Sequence, residues 1–153
     1  MYRETSTTTS TTTSTTTKAT TIASCPEGWQ EFENHCYTLI EEILKWSDAQ
    51  KKCIKANAEL ASIESALENE FIVGVLNGIN WAWIGGNDFA VGMNFVWTDG
   101  VQWKYTNWFP GEPLNSGGIE HCVNIDSTPR RWGKWNNFNC NHAKQSVCKK
   151  NKY

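Results

Sequence analysis

Six cysteines, Cys25, Cys36, Cys53, Cys122, Cys140 and Cys148, constrain this chain more than any other feature. None falls in a C-x-x-C pair of the zinc or redox kind, and an even count at wide spacings points to disulfides. Disulfides imply an oxidising compartment, so the chain is expected to be secreted or displayed outside a cell. Spacing by itself leaves the pairing open. The cysteine-bearing stretch suits one compact domain, here residues 25–150, with a short tail at 151–153.

The residues before the first cysteine have a different character. From Thr5 to Thr21 the chain reads TSTTTSTTTSTTTKATT. This run offers almost no apolar surface to offset the entropy of ordering, so residues 1–24 are read as a disordered stalk or linker. Hydroxyls at this density suggest an O-glycosylated, mucin-like stalk, whereas an unmodified polar linker needs only the composition. Extended at about 3.1 Å per residue, it would hold the domain on the order of 60 Å from whatever precedes it. The start, Met1-Tyr2-Arg3-Glu4, lacks the apolar core of a signal peptide and no run is apolar enough to span a bilayer. A processed form or a piece of a longer chain, with no direct membrane insertion, is therefore expected. A formal net charge of -2 with interspersed signs argues against nucleic acid and anionic membrane as partners.

Within the domain, CPEGWQEFENHCYTLI predicts a hairpin: Trp29, Phe32, Tyr37 and Ile40 lie in two short runs, with Cys25 and Cys36 spaced to staple them. Ser47-Asp48-Ala49-Gln50 has the form of a capping box, with Ala49, Cys53 and Ala56 at helical spacing behind it. A second box, Ser65-Ala66-Leu67-Glu68, opens a helix whose Leu67, Phe71 and Val75 share a face and which Asn77-Gly78 stops. From Trp81 onward, WAWIGG, FVWTDG, CVNI and SVCKK predict strands separated by Gly, Asn, Asp and Pro. The interval Thr106–Glu120 has no period and exceeds an ordinary connection, which marks a functional loop; Trp108 and Pro113 argue that it is ordered. Of the tryptophans, Trp81, Trp83, Trp97, Trp108 and Trp135 are expected in the core, leaving Trp103 and Trp132 for a surface.

Taken in order, CPEGW, WSDAQKKC, AELASIESALENEF, WIGGND, FVWTDG, YTNWFPGEP, EHCVNI, WNNFNC and VCK resemble the C-type lectin-like domain family in its long form, from Cys25 to Lys149. The resemblance implies an α+β domain with two helices, two small antiparallel sheets and a long protruding loop. It also implies the pairs Cys25–Cys36, Cys53–Cys148 and Cys122–Cys140.

Family members that bind sugar hold a calcium ion in that loop, and the resemblance transfers its ligands to Glu112, Glu120, Asn136 and Asn137. Leu114 stands where another oxygen ligand is expected, and Asn137 stands where the family has aspartate. Calcium takes about six to eight oxygens and its affinity follows ligand charge, so the resemblance implies a weakened site. Asn115 compensates only if the loop slips by one residue, which a cis Pro113 would oppose. Carbohydrate contacts are expected at Glu112, Pro113, Asn115, Glu120 and Asn136. Glu-Pro-Asn marks mannose-type binders in the family, so Glu112-Pro113-Leu114 leans to mannose-type ligands with one polar group missing. The accessory calcium position keeps Asp88 and Glu120, but Gly92, Asn115 and His121 replace acidic residues, and it is expected to be empty. His121 and His142 beside Glu120 do not make a zinc set, because every cysteine is committed elsewhere.

Few histidines and no nucleophile elbow or phosphate loop argue against an enzyme. Two readings follow: a lectin domain binding glycans or glycoproteins through a weak calcium site, or a calcium-independent module binding a protein or other surface through the same loop, with Trp103, Trp132 and Arg130-Arg131 as a contact patch.

Overall fold

The computed structural model describes residues 23–153, so the expected stalk lies, except for its last two residues, outside the described residues. In chain order the elements are β1 (Gln30–Phe32), β2 (His35–Leu44), α1 (Trp46–Lys55), β3 (Glu59–Leu60), α2 (Ala66–Leu76), β4 (Trp81–Asn87), β5 (Val96–Trp97), a 3-10 turn (Ser116–Gly118), β6 (Cys122–Asp126), β7 (Trp135–Phe138) and β8 (Lys144–Asn151). The predicted hairpin is β1–β2, and β2 pairs antiparallel with the C-terminal strand β8. Strands β4, β6 and β7 form a second antiparallel group, with β5 beside β4. The two antiparallel parts are joined by a short parallel ladder, Ala82 with Gln145 and Trp83 with Ser146, into one mixed sheet in the order β1-β2-β8-β4-β6-β7.

Both helices form, with local differences that packing explains. Helix α1 starts before the expected Ser47 cap: its N-cap is Lys45, with no side-chain cap. Trp46 sets the start, because its indole is buried and its Nε1–H donates to the Ile84 carbonyl at 2.9 Å. Gln50 is used for a tertiary contact, accepting from Leu60 N–H at 2.9 Å and donating to Glu59 at 3.2 Å. At α2, Ser65 caps as predicted, accepting from Glu68 N–H at 3.1 Å. Glu68 turns its carboxylate to the Glu64 amide, the Tyr37 hydroxyl and the Lys149 ammonium, all under the helix. The inward residues include Asn69, Ile72, Val73, Val75 and Leu76, and Phe71 packs partly buried against the same core, so of the expected face Val75 and Phe71 point inward and only Leu67, 72% exposed, does not. The helix stops at Asn77, whose φ is 47°.

The core is rich in tryptophan. Trp83, Trp97 and Trp135 are buried as expected, and Trp108 is partly buried against Trp135. Trp81, expected inside, is 45% exposed where β4 begins, its ring covered by the Lys144 ammonium at 4.9 Å. Trp103, expected at the surface, stacks on Trp97 with centroids 4.1 Å apart. Trp132 is exposed. The disulfides are Cys25–Cys36, Cys53–Cys148 and Cys122–Cys140, with Cα separations of 5.5, 5.5 and 5.3 Å. The second spans 95 residues and ties α1 to β8, a constraint on the unfolded chain of about 4–5 kcal/mol.

Candidate functional site

The long loop is rooted on β7. Trp108 bridges to Trp135, Phe109 N–H donates to the Trp135 carbonyl at 2.8 Å, and Trp135 N–H donates to the Asn107 carbonyl at 2.9 Å. Beneath this root, Trp135 Nε1–H donates to Asn69 Oδ1 at 2.7 Å, and the amides of Asn69 and Asn107 both donate to the Gly133 carbonyl, at 2.9 and 2.6 Å. Gly133 is required there: its φ is 72°, and a Cβ would come within 2.7 Å of Asn69 Nδ2. The Arg131 guanidinium lies over the Phe109 ring at 4.1 Å, while Trp132 points away and donates to Glu70 at 3.3 Å.

At the tip, the Glu112–Pro113 bond is cis, and Leu114 N–H donates to both Glu112 Oε2 and Asn137 Oδ1 at 3.0 Å. Asn137 Nδ2 donates to the Leu114 carbonyl and, at 2.8 Å, to the Glu120 carbonyl. Ser116 N–H donates to Glu120 Oε2 at 3.2 Å. The fold thus brings Glu112, Leu114, Glu120 and Asn137 together. Asn136 points elsewhere, its Oδ1 accepting from Asn124 Nδ2 at 2.9 Å across the β6–β7 ladder. Asn115 is exposed, and its carbonyl closes the 3-10 turn by accepting from Gly118 N–H at 3.1 Å.

The accessory position holds a side-chain pair. His121 Nδ1 is 2.8 Å from the buried Asp88 carboxylate and its Nε2 is 2.9 Å from the Gly118 carbonyl. The other Asp88 oxygen accepts from Met93 N–H at 2.7 Å. His142 packs on Phe138 instead, with centroids 4.7 Å apart. Phe89, Ile119 and His121 line a shallow depression of about 290 Å³ beside the loop.

The donor chemistry does not fit a calcium ion of the family kind. Leu114 brings no side-chain oxygen, Asn137 spends its oxygen on an N–H and turns N–H groups to two carbonyls, and Asn136 Oδ1 is engaged by Asn124. Two carboxylates remain, each with one oxygen held by a loop amide, well short of the six or so oxygens calcium requires. In this geometry the Asn136 and Asn137 side chains are both engaged by protein groups. Strong shifts of ionisation lie away from the loop: burial lowers the Lys144 ammonium to about 8, and burial followed by the Glu68 hydrogen bond raises the Tyr37 phenol.

The sequence reading passed over Asn69 and Asn107, which support the root. The available signal was an asparagine on the inward stripe of α2, where a buried amide must find partners.

Comparison with known proteins agrees with this architecture. The profile described as Lectin C-type domain matches residues 42–150. C-type mannose receptor 2 of Homo sapiens is 39% identical over 131 residues, 82% of this chain but 8% of the receptor, so the chain spans a small part of that relative's length. The galactose-specific lectin nattectin of Thalassophryne nattereri is 32% identical over 133 residues, covering 84% of this chain and 82% of nattectin. Among solved structures, the cow C-type carbohydrate-recognition domain of CD23, in the presence of GlcNAc2Man3 oligosaccharide, superposes with a TM-score of 0.77 at 33% identity, covering 84% of this chain and 97% of that one. By name these relatives are a receptor, a galactose-specific lectin and a carbohydrate-recognition domain. With the profile, the identity across most of nattectin and the shared fold, the chain belongs to the C-type lectin domain family.

Proposed function

We propose that this chain is an extracellular glycan-binding module whose contact face is the loop from Glu112 to Glu120. The observation that carries the reading is a pair of partly buried carboxylates on one loop, each with one oxygen tied to a backbone N–H, Glu112 to Leu114 and Glu120 to Ser116. The tie fixes each group's direction and leaves its second oxygen for a sugar hydroxyl. Pre-oriented acceptors lower the ordering cost of binding, and hydrogen bonds to carboxylates are charge-assisted. Glu112 before Pro113 inclines the face to mannose-type sugars, with Pro113 and Asn115 at its edge. Calcium is at most a weak contributor, because the two carboxylates are its remaining anionic donors in the loop. Single sites of this kind are weak, and a stalk that clusters copies would raise avidity.

A glycan array tests the reading, run with the oxidised domain in millimolar calcium and in chelator, beside Glu112→Gln and Glu120→Gln. Binding to vicinal-diol sugars that falls at least tenfold in either variant is expected; no glycan bound in either buffer would sink it. A second reading, a protein or other apolar surface as ligand, is favoured by the exposure of Phe89, Leu114 and Ile119 beside the same loop, at 57, 52 and 53%.

A further inference from the structure

Asn137 stands where the family resemblance has aspartate, and exchanging O⁻ for NH₂ reverses what that side chain can do. It is 1% exposed and is fastened to both arms of the loop. Its Oδ1 accepts from Leu114 N–H at 3.0 Å, and its Nδ2 donates to the Leu114 carbonyl and to the Glu120 carbonyl at 2.8 Å. A carboxylate at this place would deprive both carbonyls of their donor and face them with a negative charge, an arrangement that a bridging cation would relieve. The amide links the same oxygens through its own hydrogens.

We propose that Asn137 is a positioning residue that takes the cation's structural part: its amide closes the loop, and the face of Glu112 and Glu120 is built equally in calcium and in chelator. Two further observations point the same way. The backbone of Leu114 meets Asn137 through both its N–H and its carbonyl, so this position needs no side-chain oxygen, and the leucine turns outward, 52% exposed. At the accessory position, His121 reaches Asp88 through one ring nitrogen and the Gly118 carbonyl through the other, at 2.8 and 2.9 Å. Both places where a cation would brace the loop are therefore bridged by nitrogen-bearing side chains. The inference deepens the glycan reading by stating how the contact face is held, and loop closure is measurable with no glycan present.

The test is the thermal midpoint of the oxidised domain in several millimolar calcium and in chelator, for the wild type, Asn137→Asp, Asn137→Ala and the double variant Leu114→Asn/Asn137→Asp. The wild type is expected to melt at one temperature in both buffers. Asn137→Asp is expected to melt roughly 5 °C or more lower in chelator. Calcium should recover part of that loss, and more of it in the double variant, while Asn137→Ala falls in both buffers without recovery. A wild-type midpoint that rises with calcium, an Asn137→Asp variant unchanged in chelator, or no recovery by calcium in either aspartate variant would each overturn the proposal. Should the aspartate variants fail to fold, hydrogen exchange of the wild-type Leu114 amide decides: protection that persists in chelator supports the amide closure, and protection lost with calcium removal refutes it. A calcium-indifferent wild type that binds no glycan leaves the closure standing and removes the glycan reading alone.

Discussion

Replacing Asn69 by alanine should uncouple α2 from the strand that carries the loop, and the structure says how much each broken bond matters. The substitution removes the acceptor of Trp135 Nε1–H, at 2.7 Å, and one donor to the Gly133 carbonyl, at 2.9 Å. Trp135 is fully buried, so its N–H finds no water and is left unsatisfied, at a cost of about 1–3 kcal/mol. The Gly133 carbonyl keeps Asn107 Nδ2 at 2.6 Å and loses only the net value of one hydrogen bond, about 0.5–1.5 kcal/mol. The sum is roughly 2–4 kcal/mol, a large part of a marginal total stability. Asn107→Ala alone should cost only about 0.5–1.5 kcal/mol, because Asn69 then serves the carbonyl and the Lys134 ammonium, bonded to Asn107 at 2.9 Å, is partly solvated. The double variant orphans the carbonyl of buried Gly133, so its loss should exceed the sum of the single losses by about 1 kcal/mol or more. Guanidinium unfolding with the disulfides intact measures all four species. Tryptophan emission is a suitable signal, since Trp135 lies 5.4, 5.8 and 5.9 Å from Trp97, Trp103 and Trp108. Additive losses, or an Asn69→Ala loss below about 1 kcal/mol, would refute the assignment of the orphaned groups.

Two further expectations use the same unfolding measurement. Ser65→Ala should cost about 1 kcal/mol because Ser65 caps α2, whereas Ser47→Ala should stay within about 0.5 kcal/mol because Ser47 lies inside α1 and makes no cap; equal losses would contradict the cap assignment. Lys144, lowered by burial to about 8 from an ordinary 10.5 and partly restored by the Asp126 charge, should make stability depend on pH. Below about 8 it is protonated folded and unfolded, and the burial cost is fully present; between about 8 and 10.5 the unfolded chain binds more protons, so stability rises with pH and then levels off. Measured against Lys144→Met, a flat or falling profile in that window would mean that the rings of Phe138, Trp81 and Trp83, at 4.2, 4.9 and 5.3 Å, hold the ammonium charged.

Legibility followed whether a residue's role is set nearby or across the fold. The hairpin at Cys25–Ile40, the Ser65 cap and the Asn77 stop were readable because their determinants lie within a few residues. The start of α1 was not, since it depends on Trp46 reaching the Ile84 carbonyl. Strand β7 was not read as a strand from its residues, because Asn136 and Asn137 are poor strand formers; pairing with β6 and the burial of Trp135 override that preference. The inward placement of Trp103 depends on Trp97, a partner that only the tertiary fold brings against it. In the site, the spacing of Glu112 and Glu120 was legible, and the part played by Asn137 was not. Whether an amide presents its oxygen or its hydrogens depends on what stands opposite, here backbone groups of Leu114 and Glu120, 23 and 17 residues away in sequence.

The arrangement divides the labour between backbone and side chains in a way that bears on specificity. The loop is fastened at its root by Trp108, Asn107 and Asn69 around Trp135, at its exit by the Cys122–Cys140 bridge and the Asp88–His121 pair, and at its tip by Asn137. At the tip the fastening uses main-chain groups of Leu114 and Glu120, so the outward side chains of Leu114, Asn115 and Ile119 carry none of it. Selection for a ligand can then act on those positions with little consequence for folding, because the closure they sit on is made elsewhere. In a loop closed by side-chain oxygens on a cation, the residue after the proline serves both closure and recognition, and changing it alters both. Here the two are separated, as Leu114 shows: a side chain with no polar atom occupies that position while the backbone hydrogen bonds from Glu112 to Glu120 are kept.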